Sequence, residues 1–133
     1  MNLKEKRALV VGLGRTGEAV CTFILQRGAR VKISEQRTAQ ELGHPIHFWQ
    51  EKGVEIESGG HQLHSFLEAS MIIPSPGVPY LPELEEAKNK GIPILSEIEL
   101  AFRFLKGKVV GITGTNGKST TATLAHKILI EGG

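Results

Sequence analysis

Apolar residues fall along this chain in short β-branched runs separated by stretches of helical spacing. That alternation predicts an α/β fold: a Rossmann-like, open, mostly parallel sheet with helices on both faces. The clearest strands are 7–11, 30–34 and 71–73. Residues 54–57 alternate like a shorter strand, 92–95 form another with Pro93 near its start, and 108–113 form a last β-branched run. Between the first two strands, Val20, Phe23, Ile24 and Arg27 share one helical face, and Gly28 is placed to cap it. Pro45 argues against one continuous helix through the polar stretch 36–45. Phe48 and Trp49 are expected to anchor a short helix to the sheet, and Leu63, Phe66 and Leu67 mark one or two further turns. Pro82 suits the first turn of a helix carrying Leu84 and Ala87 and closing at Gly91. Ser96 and Glu99 have the spacing of a capping box for a helix expected to bury Ile98, Ala101, Phe102 and Leu105. A final helix presents Thr121, Leu124, Ala125, Ile128 and Leu129.

Two glycine turns interrupt this pattern where a strand meets a helix. The first, Gly12-Leu13-Gly14-Arg15-Thr16-Gly17, reads G-x-G-x-x-G. Its glycines suit a tight turn, close approach of a diphosphate and helix–strand packing, in that order. Glu35 ends the second strand eighteen residues after Gly17, where dinucleotide folds carry an acid that reads a ribose or base. The second turn, Gly114-Thr115-Asn116-Gly117-Lys118-Ser119-Thr120, follows the run 108–113. Glycines let backbone amides turn towards phosphates, Lys118 can reach the outer phosphates, and the Ser119 or Thr120 hydroxyl can join a magnesium shell. The general phosphate loop wants a glycine where this chain has Ile112. Pro74-Ser75-Pro76-Gly77-Val78-Pro79 cannot extend a ladder and so shapes a loop at the carboxyl edge of the sheet, where open α/β sheets bind ligands.

Composition narrows the classes. With 133 residues and 40% hydrophobic content, the chain buries one full core and part of a second. A net charge of +2 is too small and dispersed for a nucleic-acid partner. No apolar run reaches membrane-spanning length and no secretory signal precedes the first strand. The lone Cys21 excludes an internal disulfide framework and fits a reducing, cytoplasmic setting. His44 and His47 are three apart, as are His61 and His64, but neither pair has the cysteines or carboxylates of a metal site nearby, and turn or solvated histidines are expected instead. Ser75 lacks the strand–elbow–helix setting of a hydrolase nucleophile.

Taken in order, the Gly12–Gly17 turn, the Ser-Pro-Gly loop at 75–77, the Ser-Glu-Ile-Glu-Leu segment at 96–100 and the Gly-Ile-Thr-Gly-Thr-Asn-Gly-Lys-Ser-Thr segment at 111–120 resemble the Mur ligases over essentially the whole chain. The nearest likeness is to the branch that adds D-glutamate to UDP-N-acetylmuramoyl-L-alanine. The resemblance implies two domains, a UDP-binding one over 1–106 and the start of an ATP-binding one over 107–133. It implies that Gly14, Arg15, Thr16 and Gly17 meet the diphosphate. Glu35, Gln36 and Arg37 would lie against the uridine, with glutamate and glutamine standing where the family commonly has aspartate and threonine, and Gly77 would close over the nucleotide. It also implies that Gly114, Thr115, Asn116, Gly117, Lys118, Ser119 and Thr120 wrap ATP, with Lys118 stabilising charge in the transition state and Ser119 facing Mg2+. The implied reaction activates the substrate carboxylate as an acyl phosphate, which the D-glutamate amine then attacks.

Only one helix length follows the second glycine turn, so the chain is expected to be the front part of a larger ATP-using enzyme and inactive as a ligase alone. Leu124, Ile128 and Leu129 are then left without a domain of their own. Burying three such side chains is worth about 5–8 kcal/mol, so the 108–131 tail is expected to self-associate, fold back or fray, with a two-fold dimer as the ordered outcome. Competing readings are an NAD-dependent Rossmann protein, which leaves the second turn unexplained, a sister ligase adding L-alanine, a P-loop GTPase, and a non-catalytic UDP-sugar-binding module.

Overall fold

The computed structural model describes residues 1–43 and 45–132. Four parallel strands form the sheet: β1 (Arg7–Val11), β2 (Arg30–Glu35), β3 (Glu55–Ser58) and β4 (Met71–Pro74), in the order β3-β2-β1-β4. Among the described residues seven helices accompany them: α1 (Arg15–Leu25), α2 (Ala39–Leu42), α3 (Pro45–Glu51), α4 (Leu63–Glu68), α5 (Pro82–Asn89), α6 (Glu97–Phe102) and α7 (Lys118–Glu131).

Strand alternation divides the core into two faces. Ala8 and Val10 of β1, Val31 and Ile33 of β2, and Met71 and Ile73 of β4 pack with Val20, Cys21 and Ile24 of α1, Trp49 of α3 and Leu100 of α6. Leu9, Val11 and Ile72 turn to the other face, against Phe66 of α4 and Ala87 of α5. On that second face β2 presents Lys32 and Ser34 where apolar residues would extend the core, and this leaves room for a polar network under α4. Burial pushes the Cys21 thiol up to about 12, so it is an inert core residue.

Several expectations need correction. Residues 92–95 do not form a strand. Ile72 accepts from Leu95 and donates to the Pro93 carbonyl, each at 2.9 Å, giving a single parallel bridge between Ile72 and Ile94. Pro93 has no amide to extend it. As expected, no continuous helix runs through 36–45: Thr38 and Glu41 form a reciprocal capping box on the short α2, and Pro45 opens α3 as a separate helix. Trp49 anchors α3 at 2% exposure, whereas Phe48 is 46% exposed and lies under the Lys52 ammonium. In α6 only half the expected box forms. The Ser96 hydroxyl accepts the Glu99 amide, but the Glu99 carboxylate turns to Arg103 at 2.9 Å. The face of α6 is also rotated: Leu100 is buried, while Ile98, Phe102 and Leu105 stand exposed. Phe104 completes the packing edge-to-face on Phe23.

Residues 108–113 form no strand, because no neighbouring strand in the described sheet offers them a ladder. Helix α7 does form, yet it has no buried residue. Among the described residues no helix is long and apolar enough to cross a membrane.

Candidate functional site

At the carboxyl ends of the strands, four loops close around a cleft of about 300 Å³. The turn after β1 supplies Gly12, Leu13, Gly14 and Thr16; the end of β2 supplies Glu35, Gln36 and Arg37; the loop after β4 supplies Ser75, Gly77, Val78 and Pro79; and His61 comes from the loop after β3. The first turn is held in a conformation that only glycine tolerates. Gly12 has φ +89°, and a Cβ at Gly17 would sit 2.2 Å from the Gly12 carbonyl oxygen. Gly14 has no atom within 4 Å of its would-be Cβ, so its surface is left open to a ligand. Gly14 also caps α1 without a side-chain hydrogen bond, which leaves the first-turn amides and the positive end of the helix dipole for an anion.

Glu35 is the keystone of this arrangement. It is 4% exposed, and both its oxygens already accept protein donors. Oε2 receives the Leu13 amide at 2.7 Å, while Oε1 receives the Arg37 amide at 2.9 Å and Arg37 Nε at 3.1 Å. Arg37 Nη2 donates onward to the Leu13 carbonyl at 2.9 Å. Burial opposes the charge on Glu35, but the hydrogen bonds from the Arg37 side chain and the Arg37 and Leu13 amides outweigh it and hold the carboxyl below its ordinary value. The Glu35 carboxylate thus locks the glycine turn to the end of β2. Arg37 is the exposed member of the pair, its side chain 51% exposed against 5% for Glu35.

Of the residues expected around the diphosphate and uridine, Gly14, Thr16, Glu35, Gln36, Arg37 and Gly77 therefore share one cleft. Arg15 is exposed outside its lining, and Gly17 lies buried beneath the turn as a packing residue. Two contributors escaped sequence reasoning. Ser75 Oγ donates to the Gly12 carbonyl at 3.2 Å and ties the third loop to the first. His61 lines the cleft although its spacing was weighed only as a metal pair. His44 lies outside the described residues, and no cluster of three metal-ligating side chains occurs among those described. A separate cleft of about 280 Å³ opens by Arg7, Arg30, Lys32, Glu55 and Glu68, away from either glycine turn.

The second glycine turn, Gly114–Thr120, stands apart from the cleft lining. Gly114 and Gly117 have φ of +156° and +76°. Gly117 caps α7 with no side-chain hydrogen bond, so its first-turn amides are also available. Lys118 Nζ folds back onto the Gly114 carbonyl at 2.8 Å. Thr115, Asn116, Ser119 and Thr120 are all exposed.

The family model described as Mur ligase MurD-like, N-terminal domain, matches residues 6–96. The UDP-N-acetylmuramoylalanine–D-glutamate ligase of Acidobacterium capsulatum is 48% identical over 130 residues, covering 97% of this chain and 28% of that protein. The ligase of the same name from Koribacter versatilis is 44% identical over 134 residues, covering 100% and 30%. The chain thus spans less than a third of the length of these curated relatives. Among solved structures, a pseudomurein peptide ligase type C from Methanothermus fervidus is similar with TM-score 0.63 and 26% identity, over 97% of this chain and 27% of that one. SirC, a precorrin-2 dehydrogenase, is similar with TM-score 0.59 and 18% identity, over 99% and 68%. That second likeness is one of fold alone.

Proposed function

Because the chain belongs to the Mur ligases through its MurD-like N-terminal domain, we propose that its cleft holds the UDP part of UDP-N-acetylmuramoyl-L-alanine and that the whole protein joins D-glutamate to that substrate in the cytoplasm, in peptidoglycan precursor synthesis. The observation that carries this reading is the meeting of Gly14, Thr16, Arg37 and Gly77 in one cleft at the carboxyl edge of the sheet. The uncapped first turn of α1 and the Thr16 hydroxyl take the diphosphate. Gln36 and Arg37 lie against the uridine, and Glu35 acts through Arg37 and the turn rather than by direct contact. Gly77 forms the opposite wall.

The segment 107–133 is, on the same reading, the start of an ATP-binding domain. Its chemistry fits a triphosphate: two glycines at positive φ, a helix N-terminus without a side-chain cap, and a lysine at the first helical position. Lys118 would exchange the Gly114 carbonyl for phosphate oxygens. The Ser119 hydroxyl would offer Mg2+ one oxygen ligand, with the nucleotide phosphates supplying others. When bound, magnesium–ATP supplies the phosphoryl group that activates the substrate carboxylate for the amine. The chain's own residues contribute positioning and charge neutralisation. Taken alone, these 133 residues are expected to give no ligase product.

Calorimetric titration with UDP-N-acetylmuramoyl-L-alanine, UDP and NADH tests the cleft. Saturable heat from both uridine ligands and none from NADH is expected. Binding of NADH without a uridine response would replace this reading with a dinucleotide site.

A further inference from the structure

Under α4, β2 buries the Ser34 side chain completely. Its Oγ lies 2.6 Å from Oε1 of Glu57 and 2.7 Å from Nδ1 of His61. A hydroxyl has one proton to give, so the direction of these bonds is decided by Glu57. Burial opposes ionisation of that carboxyl, but hydrogen bonds overcome it and hold it below its ordinary value, and besides Ser34 the Ser65 hydroxyl, the Gln62 amide and the Lys32 ammonium all face it. An ionised carboxylate only accepts. The Ser34 proton therefore goes to Glu57, and the Ser34 oxygen receives Nδ1–H of His61. In the neutral imidazole the other ring nitrogen, Nε2, is then an acceptor. An edge-to-face contact with Phe66, centroids 6.0 Å apart, fixes the ring.

Strand order shows which part of a ligand this acceptor meets. The glycine turn follows β1, Glu35 to Arg37 end β2, and His61 follows β3, beyond β2 from the turn. A nucleotide with its diphosphate on α1 and its sugar by β2 brings its base towards β3. We propose that His61 reads the base: Nδ1–H is committed to Ser34, which leaves Nε2 to accept the ring N3–H of uracil. Cytosine has a bare N3 acceptor at that position, so an acceptor there discriminates uracil from cytosine. This inference rests on the uridine reading of the cleft and extends it to a specificity-determining residue.

The test titrates the chain, its His61→Ala variant and its His61→Phe variant with UDP and with CDP. The phenylalanine keeps a ring against Phe66 without an acceptor, so it covers a folding failure of the alanine variant, and thermal melting verifies both. Wild type is expected to prefer UDP. Both variants are expected to lose UDP affinity roughly tenfold, the worth of one hydrogen bond, with CDP changed by less than about twofold. Equal weakening for both nucleotides would make His61 a mere prop for the loop and overturn the inference. So would a preference that survives in the variants, or UDP binding to wild type with no preference over CDP. Failure of UDP to bind wild type at all is a different result, because it removes the uridine reading itself.

Discussion

The turns at Gly12–Gly17 and Gly114–Thr120 obey the same local rules and differ in what stands behind them. Both place glycine at positive φ, both precede a helix without a side-chain cap, and both expose first-turn amides. The first is braced from three sides: Glu35 holds the Leu13 amide, Ser75 holds the Gly12 carbonyl, and Gly17 lies against the Gly12 backbone. Among the described residues, the side-chain brace on the second is its own lysine. A glycine turn thus specifies an anion-binding shape locally, but its rigidity comes from residues far away in sequence. Preorganisation is a property of the scaffold.

The largest effect that separates the two turns is on stability. In Gly17→Ala the new Cβ would meet a backbone oxygen at 2.2 Å, a clash that no rotamer relieves. The cost should be about 3 kcal/mol, with loss of UDP binding. In Gly117→Ala the left-handed φ costs about 1–2 kcal/mol locally, but no neighbour within 4 Å is disturbed. Urea unfolding followed through Trp49, the one tryptophan and a buried core residue, should shift for the first variant and stay in place for the second. Equal midpoints would erase the distinction.

A smaller effect should come from removing the charge that braces the first turn. Glu35→Gln leaves the Leu13 amide and the Arg37 guanidinium without a carboxylate, which should cost about 1–3 kcal/mol at neutral pH. The pH dependence has a definite sign. Glu35 is held below its ordinary value near 4.5 in the fold, so its stabilisation is fully present above that pH and is lost as pH falls through the folded value. Glu57 is shifted the same way. Acid titration of the unfolding midpoint should therefore fall less steeply in Glu35→Gln than in wild type, without becoming flat. An unchanged acid slope would show that the carboxylate does not brace the turn.

What was legible in the sequence follows the same division between local and distant causes. β1, the first glycine turn, α1 and β2 read correctly because a β-branched run, a glycine signature and one helical face lie within thirty residues. The site's principal lining was legible for the same reason. The 92–95 run failed as a strand because pairing depends on a partner and on Pro93, not on propensity alone. The face of α6 was misplaced because Ile98, Phe102 and Leu105 form as good a stripe as Leu100 and Phe104, and only packing on Phe23 chooses between them. Spacing places Glu35 at the ligand edge of the sheet and His61 in a metal pair that lacks further ligands, but it does not show what either holds within the fold. Those partners, Leu13 and Ser34, lie 22 and 27 residues away. Polar Ser34 and Glu57 on adjacent parallel strands were the available signal for a buried network.

The smallest expected effect on the folded unit, and the sharpest test of the contrast, is removal of the second turn altogether. Residues 106–132 add no buried side chain to either core, so deleting them should move the melting temperature by no more than about 2 °C, the scale of a few tenths of a kcal/mol. Their effect should appear in association instead. Leu124, Ile128, Leu129 and Ile130 are each more than half exposed, together an apolar surface that a lone monomer seldom keeps open. Light scattering of the 133-residue chain should show mass rising with concentration, and the shortened chain should remain monomeric throughout. Trypsin should cut first among Lys106, Lys108 and Lys118 at low concentration, with protection growing as association sets in. A monomer at every concentration whose tail resists the protease would instead mean that α7 folds back on the first unit, and deletion would then lower the melting temperature well beyond that limit.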